Sequence, residues 1–239
     1  MNKKKPAQRP KPKMKYRIEN WREYHARLVE RGAITIWMAT DDLNAWKPSQ
    51  NGKWGGQYRY SDAATGCLLT VKSVDQLRLR ATAGLVRSWF AMAGIRLPIP
   101  DYTRLSRPGQ TVVGALPKRA SGGLPLGIDR SGLKVDGEGQ GKVRQHGYRQ
   151  HRPWPKFHLS IEERTLEIQE VTLTEAGTDD ASQMDSLLEA TTVFRFKTIF
   201  GNQLSARLLP QQRTEVRVKG AILNRMAHLG LPERHPVLA

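Results

Sequence analysis

Apolar and polar positions alternate at Leu124, Leu126 and Ile128, and again at Phe157, Leu159 and Ile161. A period of two predicts strands that set one face on a core. A third run, at Leu166, Ile168, Val171 and Leu173, keeps the pattern only in part, and Glu162-Glu163-Arg164-Thr165 suits a short turn before it. Three consecutive strands are therefore expected between Leu124 and Leu173, the first two separated by a glycine-rich basic loop, GEGQGKVRQHGYRQHR.

Outside that stretch the spacing is helical. Trp21, Tyr24 and Leu28 share a face over Asn20–Arg31, with Asn20 as the expected cap, Glu23 closing a capping box and Gly32 as the stop. The stripe is expected to face a core. ITIWM reads as strand or helix. A second helix begins near Ser61 and takes in Cys67, Leu68, Val71 and Val74; a third, from about Arg80 to Ala93, groups Leu85, Val86, Trp89 and Phe90. Gly94, Pro98 and Pro100 end it, and Asp101 caps a short basic helix, DYTRLSR. Two further helices are expected near Glu189–Gly201 and Gln212–Leu229, with stripes at Val193 and Phe196 and at Val216, Leu223 and Met226.

Composition narrows the class. The 239 residues carry a net charge of +17 and a sequence pI near 10.4, which favours a polyanionic partner, because neutralising phosphates releases counterions. Nucleic acid is the first candidate; a ribosomal or membrane-surface role competes with it, and a basic structural protein that binds nucleic acid without sequence preference is a further alternative. Hydrophobic content of 38% permits a modest core. A single cysteine, Cys67, excludes an intrachain disulfide and a cysteine-based zinc site. No apolar run reaches the roughly 18–20 residues of a membrane span, and the basic N-terminus lacks a signal-type apolar core, so a cytoplasmic, nucleoid-associated protein without membrane contact is expected.

Four regions follow. Residues 1–15 form a basic, proline-containing arm that either touches phosphates or merely solubilises. Residues 16–108 are helical; helix, glycine-containing turn and short basic helix together resemble a helix-turn-helix, in which Thr103, Arg104 and Arg107 would face DNA. Residues 109–123 are a linker, and 124–239 hold the strands. In the basic loop, Lys142, Arg144, Arg149 and Arg152 alternate with Tyr148 and Trp154, a mixture suited to phosphates and exposed bases. Asp129, near the end of the first strand, suits metal coordination on a rigid element, or simply terminates the strand.

GIDRSGLKVDGEGQGKVRQHG followed by WPKFHLSIEE resembles the segment around the first catalytic aspartate of bacterial insertion-sequence DDE transposases of the insertion-sequence-five type. YRIENWREYHARLVERGAITIWM, YSDAATGCLLTVKSV and FRFKTIFGNQLSARLLPQQRTEVRVKGAILNRMAHLGLP are similar to the same family in the same order, so the resemblance runs from Tyr16 to Pro232. It implies an α+β chain: a helical DNA-binding region, then a ribonuclease H-like α/β domain. It also implies Mg²⁺ or Mn²⁺ held by acidic oxygens for cleavage and strand transfer at terminal inverted repeats of duplex DNA. A homodimer, or a heteromer with an intact transposase, would be the assembly.

By that resemblance Asp129 is the first catalytic and metal-binding acid, Glu189 the best match to the last, and Lys197 the basic residue beyond it, in contact with DNA. Lys197 follows Glu189 by eight positions where the family has seven; Ala190 stands at the seventh, and Ser182 and Asp185 replace the family's tyrosine and arginine. No aspartate-glycine-alanine-tyrosine motif occurs: TEAGTDDASQMD runs directly into SLLEATTVFRFK, as though the segment with the second aspartate were deleted. Asp179 and Asp180 offer no spacing that argues for substitution. The expectation is a transposase relative with an incomplete ribonuclease H-like domain, defective in strand transfer. The alternative is an inactive DNA-binding remnant that occupies element ends or inhibits transposition.

Overall fold

A computed structural model describes residues 15–48, 59–107, 116, 126–135, 155–162, 165, 167–174 and 187–237. The described elements are, in order, β1 (Lys15–Ile18), α1 (Trp21–Glu30), α2 (Ile34–Trp37), α3 (Thr40–Asn44), α4 (Asp62–Val74), α5 (Leu79–Met92) and α6 (Tyr102–Leu105). They continue with β2 (Leu126–Gly132), β3 (Lys134–Val135), β4 (Lys156–Glu162), β5 (Ile168–Thr174), α7 (Leu187–Phe200), β6 (Gln203–Leu204), α8 (Leu209–Leu229) and β7 (Arg234–Val237). This is a mixed, α+β chain. ITIWM is resolved as helix.

The three expected strands form one antiparallel sheet in the order β2-β4-β5. Phe157, Leu159 and Ile161 are buried on β4, and Ile168, Val171 and Leu173 on β5. The imperfect alternation of β5 has a structural cause. Ile161 pairs with Ile168 but Ser160 with Glu170, so Gln169 is an extra residue in a β-bulge, and Ile168 and Val171 both reach the core.

The first strand departs from its pattern. Leu126 pairs with Glu162 and Ile128 with Ser160, whereas Asp129 pairs with Leu159. Paired residues share a sheet face, so Gly127, Asp129 and Ser131 occupy the register positions of the core face. Leu126 and Ile128 occupy the other. The alternation was real, but the pairing, which the strand alone does not fix, chose the opposite phase.

Helices α7 and α8 cover the core face. Phe196 of α7 meets Phe157 at a ring separation of 4.5 Å, and Val216, Ile222, Leu223 and Met226 of α8 complete the cluster. Helix α8 sits close: a Cβ on Gly220 would come within 2.8 Å of Val171 Cγ2. Asn224 is the clamp, accepting from the Ile168 N–H and donating to its carbonyl, both at 2.8 Å.

A second cluster joins α3–α6 around Trp46, Leu68, Val86, Phe90 and Leu105. Helix α4 links the two, packing against α8 and setting Leu69 and Val74 on the sheet-side cluster. Ser61 caps α4, accepting from the Ala64 N–H. Residues 16–108 are further tied to the C-terminal part by β1–β7 pairing and by Arg31, which donates to the carbonyls of Met226 and Gly230.

Two expectations for α1 are corrected. Asn20 makes no side-chain cap; it donates to the Leu231 carbonyl and accepts from the Glu233 N–H, pinning the chain beyond α8 instead. No residue of α1 is buried, and Trp21 is 55% exposed. Its apolar stripe therefore does not face the core.

At the junction of α4, α8 and the segment after β6 lies a polar cluster around the buried Glu215 and Lys219. Glu215 accepts from the Ser205 N–H and hydroxyl and the Ala206 N–H, and pairs with Lys219 at 2.8 Å. Lys72 of α4 donates to Ser205 Oγ at 2.6 Å. Burial alone would push the Glu215 carboxyl up, but Lys219, Lys72 and these hydrogen bonds outweigh it and hold it below its ordinary value. Burial pushes the Lys72 ammonium down, against the pull of Glu215.

Two outcomes are expected from urea unfolding. Asn224→Ala should lower stability by ~1–3 kcal/mol for each orphaned backbone group of Ile168. Because the Glu215 carboxyl is depressed on folding, its contribution is fully present above the ordinary value of 4.5 and is lost as pH falls below it. Glu215→Gln should therefore cost about 3–5 kcal/mol at neutral pH, and the gap from the wild type should close as the medium is acidified. A constant gap would rule out this linkage.

Candidate functional site

The acid expected to act first, Asp129, lies mid-strand on β2 at an edge of the sheet, opposite Leu159. Its register position is on the face that α7 and α8 cover. Helix α7, which carries Glu189 near its start and Lys197 in its last turn, packs directly against β2. Glu189 stands four residues before Val193 and seven before Phe196 on that helix. The fold thus brings the two acid-bearing elements together. The eight-residue step to Lys197 spans about 12 Å along the axis and rotates the position by about 80°, at 3.6 residues and 1.5 Å per residue. Lys197 is half-buried on α7.

A two-ion centre needs more oxygen ligands than two acids supply. Among the described residues no group of three or more His, Cys, Asp or Glu side chains gathers as a metal centre would require. Asp179 and Asp180, with Ser182 and Asp185, lie outside the described residues. Asp129 and Glu189 alone do not fit a complete two-ion site, and no reaction step is routed through one. Ser205, Glu215 and Lys219 are engaged with one another and with Lys72, as a structural staple between helices. The sequence carried no signal for this staple, since its four members come from three separated segments.

The expected DNA contacts divide likewise. Lys142, Arg144, Arg149 and Arg152 lie outside the described residues. Thr103, Arg104 and Arg107 belong to α6 and its C-terminal end, and Thr103 and Arg107 are exposed while Arg104 is partly covered. Helix α6 is one turn long and stands nine residues beyond α5, against the three or four of a compact helix-turn-helix. Asp101 caps it as expected, accepting from the Arg104 N–H at 2.9 Å and from the Thr103 hydroxyl at 2.7 Å. The Arg104 N–H, then the Thr103 hydroxyl, hold the Asp101 carboxyl below its ordinary value. Thr103 thus spends its hydroxyl proton on the cap.

No helix among the described residues is long and apolar enough to cross a membrane. No solved structure matches the chain. Residues 29–138, which run from the end of α1 through the helical cluster and the Asp129 strand, match the family model of a transposase DDE domain, and this similarity supports a DDE transposase.

Proposed function

We infer that the chain derives from an insertion-sequence transposase of the insertion-sequence-five type, binds the terminal inverted repeats as duplex DNA, and does not complete strand transfer. The observation that carries this reading is the edge position of β2. It bears Asp129, pairs on one side with β4, and has no sheet partner on its other side among the described residues.

A strand bearing a second aspartate would have to be reached from β5, at the opposite edge. Thr174 and Leu187 are separated by the twelve residues 175–186. Crossing from β5 to beyond β2 covers three strand spacings, about 14 Å. If the added strand ran parallel to β5, the crossover alone would use a dozen or more residues. Twelve residues do not supply a crossover, a strand and a link into α7 together. An internal deletion accounts for both this short connection and the missing second-aspartate motif. With one acid gone, a divalent ion loses a ligand and its position is no longer fixed.

What remains is a basic chain whose helical cluster and first acidic strand persist. Such a product can occupy element ends, alone or in a heteromer with an intact transposase, and so interfere with transposition.

The test is cleavage and strand transfer on a labelled insertion-sequence end with Mg²⁺ or Mn²⁺, comparing the wild type with Asp129→Ala. Both should bind the end and neither should cut it. Cutting by the wild type that Asp129→Ala abolishes would mean that a full metal site is assembled, and would sink the inactive reading.

A further inference from the structure

Helix α5 has one side open to solvent, and the only charges on that side are the two arginines Arg80 and Arg87. Arg80, Gly84, Arg87, Ser88 and Ala91 are exposed at positions i, i+4, i+7, i+8 and i+11, a single stripe. The opposite side, through Thr82, Ala83, Val86 and Phe90, is buried in the helical cluster. The helix contains no acidic residue. From Gln76 to Arg107 the chain carries arginines at 78, 80, 87, 96, 104 and 107 and one acid, Asp101. That acid is already engaged as the α6 cap.

Shape agrees with charge. Arg80 and Arg87 stand two turns apart, about 10.5 Å along the axis, while the major groove of B-DNA is about 12 Å wide and admits one α-helix. The exposed positions between them and just beyond are glycine, serine and alanine, which let a helix backbone approach base edges, and exposed Met92 closes the C-terminal end of that side. A Cβ on Gly84 would meet nothing within 4 Å, so this glycine is not needed for packing. Arg80 is positioned by its guanidinium lying over the Tyr102 ring, 4.4 Å from the centroid. Tyr102 opens α6, which packs on α5 and is followed two residues after its end by exposed Arg107.

The other exposed helix faces do not match this. Helix α1 mixes signs, with Glu23 in its first turn and Arg27 paired to Glu30. Helix α8 exposes Arg213, Arg217 and Arg225 as one row, but Gln212, Val216, Val218 and Ile222 are buried beside them, so it cannot enter a groove.

We propose that the outward face of α5 is the surface that enters the major groove of duplex DNA, with Arg80 and Arg87 on phosphates or base edges and Arg107 on the flanking backbone. This rests on the reading of the chain as a DNA-binding transposase relative, and it moves the groove contact from α6 to α5.

Binding of a labelled duplex carrying the element end is measured by fluorescence anisotropy over a range of salt, for the full chain and its variants. Arg80→Ala and Arg87→Ala should each weaken binding by about fivefold or more, and a lost phosphate contact should lower the salt slope by about one. Gly84→Glu is the decisive variant. It should melt no lower than the wild type, because glycine is the poorer helix former by up to about 1 kcal/mol, yet it sets bulk and negative charge in the groove and should weaken binding by about tenfold or more. Arg22→Ala on α1 removes the same charge elsewhere and should change little.

Wild-type binding with unchanged affinity in Gly84→Glu and Arg87→Ala, or an equal loss in Arg22→Ala, would overturn the α5 assignment and leave the DNA-binding reading standing. No wild-type binding to duplex DNA would overturn both. Equal or tighter binding to duplex RNA of the same sequence would also overturn the assignment, because the A-form major groove is too narrow to admit side chains or a helix.

Discussion

The close seat of α8 on β5 is the contact on which the rest of the molecule depends. At Gly220 the helix leaves no room for a methyl group against Val171, and four residues on Asn224 satisfies both backbone groups of Ile168. A helix held this near the sheet buries Val216, Ile222 and Leu223 beside Phe157, Leu159 and Ile161. Burial of that apolar area is the main favourable term, and the Asn224 clamp sets where along the sheet it is collected. The clamp falls at the bulge, where strand pairing is irregular and Ile168 has backbone groups to offer.

The same helix gathers the N-terminal half. Its inward face packs on α4, its buried Glu215 and Lys219 meet Lys72 through Ser205, and the chain beyond it is held by Arg31, Asn20 and strand β1. The helical cluster that carries α5 and the sheet that carries Asp129 are thereby fixed to one scaffold. The family match from residue 29 to 138 covers parts of both.

Much of this was legible along the chain. The helices near 61–74, 80–93 and 212–229, the three strands and the Asp101 cap follow from local spacing and stop residues, because a helix or strand declares its own period. Where local rules failed, a distant partner had intervened. Asn20 had the sequence of a helix cap, but the Leu231–Glu233 backbone, over 200 residues away, takes its side chain. Trp21 and Leu28 kept helical spacing without a core to meet. The buried Lys72–Ser205–Glu215–Lys219 cluster had no signature, since charged residues far apart in sequence look like any solvated surface charges.

The sequence by itself determined the charge, the single thiol, and the main helices and the three strands in their order. Each is a matter of composition or local period. Only the tertiary structure decided which face of β2 turns to the helices, since that depends on its pairing with β4 and reverses with a one-residue slip. It alone set α7 against the Asp129 strand and left the stripe of α5 open, because exposure is decided by what other elements pack against a helix and not by the helix's own residues.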